Sequence, residues 1–313
     1  MAGNQERRRP SPDQLAGLAG RWLPGPALRT LLAGALQGLE LSLCLHRVAA
    51  RRRASDWQPG LSMPAPELDT LIELLLSSRP GPGQGWLSVT FDDGYADAAQ
   101  YIRSRAPRFP GVEFIFFVCP EKAQLRSGFR WDLVEEALKS GRAAEAAVSL
   151  MDAPVEVEGE NHRADLRALC ELPDYTLCTV EELRELATIP NVSLGNHTSL
   201  HLSPAKSADE LVKADFERST ATFTRLFGPP RHFAFPFGTP RAHFAQRHVD
   251  WLRPLGNFPI WTTESRPYRL AERAPGAALP RFPVDGDKDA HTLAGWIAAR
   301  SLDFRLRGAR HHF

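Results

Sequence analysis

Over residues 39–46 the sequence LELSLCLH alternates strictly: Leu39, Leu41, Leu43 and Leu45 fall on one side, and Glu40, Ser42, Cys44 and His46 on the other. A period of two predicts a strand, here one that ends in a histidine. Over 64–78 the period lengthens, with Leu68, Leu71, Ile72, Leu74 and Leu75 at helical spacing. The stretch RPGPGQG then breaks the chain before LSVTFDDG begins a second alternating run. Residues 113–118 (EFIFFV) predict another strand, and shorter ones are expected at 192–194, 232–235, 259–262 and 281–284. Helical spacing recurs at 95–104, 208–226 and 290–299. Strands separated by helices predict a largely parallel α/β sheet or barrel. Residues 120–190 interrupt that alternation. They are rich in Ala, Glu, Leu and Arg, with helical patterns at 131–150 and 179–186, and predict a helical insertion.

The length of 313 residues allows two domains at roughly 150 residues each, but one barrel with trimmings accounts for it equally well. The division expected is an N-terminal helical segment over 1–38, a barrel over 39–300 containing the insertion, and a tail over 301–313. Lys and Arg total 38 against 37 Asp and Glu, which leaves no net field to attract nucleic acid. The arginine clusters at 7–9 and 51–53 are expected to be solvated surface. Cys44, Cys119, Cys170 and Cys178 form no C-x-x-C pair, so neither a zinc ribbon nor a disulfide framework is indicated, and a reducing compartment is the simpler expectation. The apolar stretch 27–45 is interrupted by Arg29, Gln37 and Glu40, which argues against a membrane span. The opening MAGNQERRRPSPDQ lacks the apolar run of a secretory signal.

Three constellations carry chemistry. In LSVTFDDGY the strand runs out as it delivers Asp92 and Asp93 to a glycine turn. Two adjacent carboxylates in a partly enclosed site call for a cation, or for one raised pKa. The alternative is a helix-capping Asp93 beside a solvated Asp92. In NVSLGNHTSLH, His197 and His201 are four apart, a spacing that lets two imidazoles face one point on a helical turn. Surface histidines explain such a pair on its own. Joined to Asp93, it becomes a carboxylate and two histidines that leave positions open for water and substrate, as in catalytic zinc sites and some iron sites. The third constellation is RHFAFPFG, an aromatic strand that Pro236 confines to an edge or an end, with a turn able to present a backbone N–H.

In this order the residues resemble the polysaccharide deacetylases of the NodB-homology group, carbohydrate esterase family four. The TFDDG motif matches Thr90 to Gly94, H-[ST]-x-x-H matches His197, Thr198 and His201, and the proline–aromatic–glycine motif matches Pro236, Phe237 and Gly238. LCLHRV, at 43–48, resembles an upstream element of the poly-N-acetylglucosamine deacetylase subgroup. The resemblance implies a distorted (β/α) barrel of about seven strands holding one divalent ion, zinc first and cobalt or nickel as alternatives. Asp93, His197 and His201 would be its ligands, Asp92 the general base and His46 the general acid. The Phe237 N–H would meet the oxyanion, and Arg281 is placed with Phe237 among substrate-binding residues, an ordinary ion pair being the alternative. The substrate implied is an acetylated amino sugar or glycan. The expected setting is cytoplasmic, with the inner membrane face as a place to meet a lipid-linked sugar. One departure stands out: where many members carry an arginine that orients the base, this chain has Ala234. That keeps open a catalytically impaired, carbohydrate-binding relative of the same fold. Trp131 and Asp132 are candidates to line a sugar subsite or simply to pack.

Overall fold

The computed structural model describes residues 23–50, 59–78, 86–125, 128–129, 131–132, 177–274 and 276–308. The arginine clusters and most of the helix expected at 131–150 lie outside them.

Eight strands form one sheet in which every neighbouring pair is parallel. The order is β10 (Phe282–Pro283), β1 (Leu41–Leu45), β4 (Leu87–Phe91), β5 (Val112–Val118), β6 (Val192–Asn196), β7 (Phe233–Ala234), β8 (Ile260–Trp261) and β9 (Ala278–Leu279). A small parallel pair, β2 (Arg47–Ala49) and β3 (Ser62–Pro64), stands apart. β9 and β10 occupy opposite edges, yet only Pro280 and Arg281 separate them in the chain. Three Cα steps reach about 11 Å at most, so the two edges meet. The sheet curls into a barrel whose seam is bridged by chain, with eight strands against the seven or so expected.

The alternation in sequence separates two kinds of burial. Leu41, Leu43 and Leu45 of β1, Leu87, Val89 and Phe91 of β4, and Phe114, Phe116 and Val118 of β5 join the outer core. α1 (Gly25–Leu36), α2 (Ala65–Ser78), α3 (Ala96–Arg105) and α8 (Ala290–Arg307) contribute their buried faces to it. The intervening residues face the barrel interior, where Ile115 and Phe117 meet Ala234, Trp261, Tyr268 and Leu279. Ser42, Ser88 and Thr90 are fully buried as well, and each finds a partner. The Thr90 hydroxyl donates to the Leu43 carbonyl at 2.8 Å and the Ser88 hydroxyl to Glu113 at 3.0 Å, as buried polar groups require.

α4 (Pro120–Leu125) follows β5. α5 (Val180–Leu186) starts at a capping box in which Thr179 and Glu182 satisfy each other's backbone N–H groups. α6 (Asp209–Phe227) and α7 (Gln246–Leu252) bury Val212, Phe216, Val249 and Leu252 against Phe233 and Phe235. α1 shares its core with α2 and α8. α8 runs to Arg307, with Ser301 and Phe304 still buried there. Among the described residues no helix is long and apolar enough to cross a membrane.

Candidate metal centre

Strand register brings the chemistry to one level. Leu45 lies opposite Phe91, so His46 and Asp92 leave β1 and β4 together, and the Asp92 N–H donates to the Leu45 carbonyl at 2.9 Å. Val118 lies opposite Asn196, and the His197 N–H donates to the Val118 carbonyl at 2.9 Å. All these positions are at carboxyl ends of parallel strands, the face on which α/β barrels carry their sites.

Asp93, His197 and His201 are buried, and one ligand atom from each lies within 4.8 Å of the other two. His201 Nε2 is 3.1 Å from Asp93 Oδ1, and His197 Nε2 is 3.5 Å from it. Asp93 Oδ1 nevertheless has no hydrogen-bond partner among the described residues. An enclosed carboxylate oxygen faced by two imidazole nitrogens, with no hydrogen bond to either, suits a divalent cation. His197 is oriented for this role: its Nδ1–H meets the Ala234 carbonyl at 2.9 Å, which leaves the Nε2 lone pair free. Burial pushes the His197 pKa down to about 4, so its ring is neutral at pH 7, the form that binds metal. Burial would raise the pKa of Asp93, but His201 outweighs it and the carboxyl stays ionised. The donor set fits a divalent ion.

The histidine spacing predicted a helical turn, and the structure corrects this: 197–201 is a loop. Thr198 (φ 64°) and His201 (φ 55°) adopt left-handed backbone. The loop is tied internally, the Thr198 N–H donating to Asn196 Oδ1 at 3.0 Å and the His201 N–H to Thr198 Oγ1 at 3.1 Å. From α6 the buried Asp215 accepts the N–H groups of Ser199 and Leu200 at 3.1 and 3.0 Å. Nothing in the local sequence marked Asp215 for this work. Asp93 (φ 76°) and Phe237 (φ 61°) are left-handed too, so four strained non-glycine residues gather at one place. Such strain collects at functional sites.

Asp92 stands beside the three, its Oδ2 4.0 Å from His197 Nε2. Arg281, from the barrel seam, grips it with both terminal nitrogens, at 2.6 Å to Oδ1 and 2.9 Å to Oδ2. The same guanidinium donates to Thr90 Oγ1 at 2.9 Å and to the Thr262 carbonyl at 3.2 Å, and lies 5.1 Å over the Phe117 ring. The Cys44 thiol adds a long contact of 3.5 Å to Asp92 Oδ2. Arg281 has no exposed surface, and its donors are turned to Asp92, Thr90 and Thr262. Burial alone would raise the Asp92 pKa, but Arg281 and then His197 override it and hold the carboxyl well below the usual range. An arginine from the seam thus stands at Asp92, where Ala234 offers none.

His46 is half-buried at the end of β1. Phe237 is 49% exposed with its ring 5.1 Å from His201, and its N–H has no hydrogen-bond partner among the described residues. Phe117, which underlies Arg281, has room only because residue 195 is glycine: a Cβ there would lie 2.4 Å from the ring. Gly195→Ala is therefore expected to destabilise the fold by about 1–3 kcal/mol in denaturant unfolding. An unchanged midpoint would show that the ring is not wedged there.

No family model and no curated relative matches the chain. Solved structures do. A polysaccharide deacetylase from Bacillus cereus aligns with 83% of this chain and 69% of its own, at 14% identity and TM-score 0.52. A de-N-acetylase from Aggregatibacter actinomycetemcomitans aligns over 82% and 99%, at 16% identity and TM-score 0.51. The Streptococcus pyogenes deacetylase PplD, in complex with acetate, aligns over 83% and 98%, at 11% identity and TM-score 0.50. The fold is thus the distorted α/β barrel seen in solved polysaccharide deacetylases.

Proposed function

We propose that the chain is a metal-dependent carbohydrate deacetylase of the NodB-homology group, related to the poly-N-acetylglucosamine deacetylases, that removes N-acetyl or similar acyl groups from an amino sugar or glycan. The observation that carries this is the convergence of Asp93, His197 and His201 on one point, with the arginine-held Asp92 beside it. Those three residues would hold the ion. A bound zinc, or cobalt or nickel in its place, would polarise the acyl carbonyl and make water a stronger nucleophile. Asp92, kept ionised by Arg281, takes the proton of the attacking water. The free N–H of Phe237 donates to the developing oxyanion, a contribution whose loss typically raises a barrier by about 3 kcal/mol. His46, at the end of β1, returns a proton to the leaving amine. The alternative of a binding protein without turnover rested on Ala234, and the arginine at Asp92 favours turnover over it.

The test is metal removal. Chelated protein should release no acetate from N-acetylglucosamine oligomers, and one equivalent of zinc, cobalt or nickel should restore release. His201→Ala should abolish stoichiometric binding in calorimetry. Acetate release that survives both chelation and His201→Ala would rule out the proposal.

A further inference from the structure

The two histidines of the site are held in different ways. His197 has the usual second-nitrogen hydrogen bond, whereas buried His201 Nδ1 has no partner among the described residues. A ligating imidazole without that bond needs another restraint, since its terminal torsion is soft. Three rings supply it, each meeting His201 edge to face: Trp131 at 5.0 Å, Phe237 at 5.1 Å and Phe129 at 5.3 Å. Phe129 and Trp131 are stacked on each other at 4.4 Å and 10°. They stand where the chain enters the insertion, outside the barrel strands, and so need an anchor of their own.

That anchor is one hydroxyl. Tyr95 follows the Asp93–Gly94 turn directly and is buried. Its Oη accepts the Trp131 indole N–H at 3.0 Å and donates to the Asp132 carboxylate at 2.9 and 3.1 Å. Asp132 is buried too, and also accepts the Phe129 N–H at 3.2 Å. The Arg47 guanidinium lies 5.2 Å over the Tyr95 ring and pairs with Asp97 at 3.3 Å, which fixes the tyrosine from behind.

We propose that Tyr95 and Asp132 are positioning residues for His201: their hydrogen bond locks the Phe129–Trp131 stack against the imidazole and sets the geometry of the metal site. The inference rests on the metal-centre reading above. It goes beyond that reading by giving the first residues of the insertion a role in metal affinity.

Cobalt is the probe, because its visible absorption reports coordination geometry without turnover. Tyr95→Phe removes only the hydroxyl and should weaken cobalt binding about tenfold or more in chelator competition, with an altered absorption band. Asp132→Ala should do the same and serves if Tyr95→Phe does not fold. The double variant should be no weaker than the weaker single one, since both changes break one link. Asp132→Asn keeps an oxygen for the hydroxyl and should recover most of the affinity. Tyr101→Phe is the control. It removes another buried hydroxyl, bonded to Asp69 at 2.8 Å, and should leave cobalt affinity and spectrum unchanged. Wild-type affinity and spectrum in both Tyr95→Phe and Asp132→Ala, or losses that multiply in the double variant, would overturn this proposal alone. A wild-type chain that binds no cobalt would overturn the metal centre itself.

Discussion

Asp92→Asn is expected to lower kcat of the metal-loaded protein by about 10²- to 10⁴-fold, the range typical of losing a positioned general base. Metal affinity should change little, because Asp92 stands beside the ligand set and is not part of it. The two readouts separate this change from Asp93→Asn, which should lose the ion. The amide also leaves the Arg281 charge without its counterion in a dry interior, so stability should fall as well. Acetate release measured at matched metal occupancy checks the claim. Full activity in a loaded Asp92→Asn protein would mean that another group takes the proton.

The second large effect is expected from Arg281→Met, which fills much the same volume but leaves Asp92 alone. Breaking a buried pair by removing one partner destabilises by about 3–5 kcal/mol, readable from denaturant unfolding. The pH dependence gives an independent sign. In the native chain Asp92 binds its proton less tightly than an unfolded aspartate does. The stabilisation from the pair is therefore present above the ordinary aspartate pKa of about 4, and is lost as pH falls toward the depressed native value. Without the guanidinium, burial is left as the dominant influence and raises the carboxyl's pKa. The acid limb of kcat/KM in Arg281→Met should accordingly move to higher pH. An unmoved limb would show that Arg281 does not hold the base ionised.

The barrel was legible where strands were long. β1 and β4 announce themselves by alternation, β5 by an unbroken apolar run, and the helices at 65–78, 96–105 and 209–227 by their apolar spacing. β7, β8 and β10 fall inside the short strands expected at 232–235, 259–262 and 281–284, whereas β9, with two residues, was too short for any period to mark it. The seam at Pro280 and Arg281 is defined by which edges meet, information spread over the whole chain. Asp93, His197 and His201 were legible for a different reason: each sits in a short motif where a strand ends. What surrounds them was not. Arg281 reaches Asp92 across 189 positions, and Tyr95 reaches Asp132 across 37. The histidine spacing pointed to two residues that the fold brings together with Asp93, but on a different backbone. A separation of four fits a helical turn, but Asn196, Thr198 and Asp215 shape a left-handed loop instead. The polar side of β1 likewise carried no sign that it lines a barrel interior.

The most direct test is a crystal structure of metal-soaked protein with anomalous scattering at the zinc or cobalt edge. The account predicts a single strong peak about 2.0–2.2 Å from one oxygen of Asp93 and from Nε2 of both His197 and His201, with Asp92 beyond coordinating distance and still clasped by Arg281. A peak elsewhere, or none at a metal concentration that sustains acetate release, would contradict it.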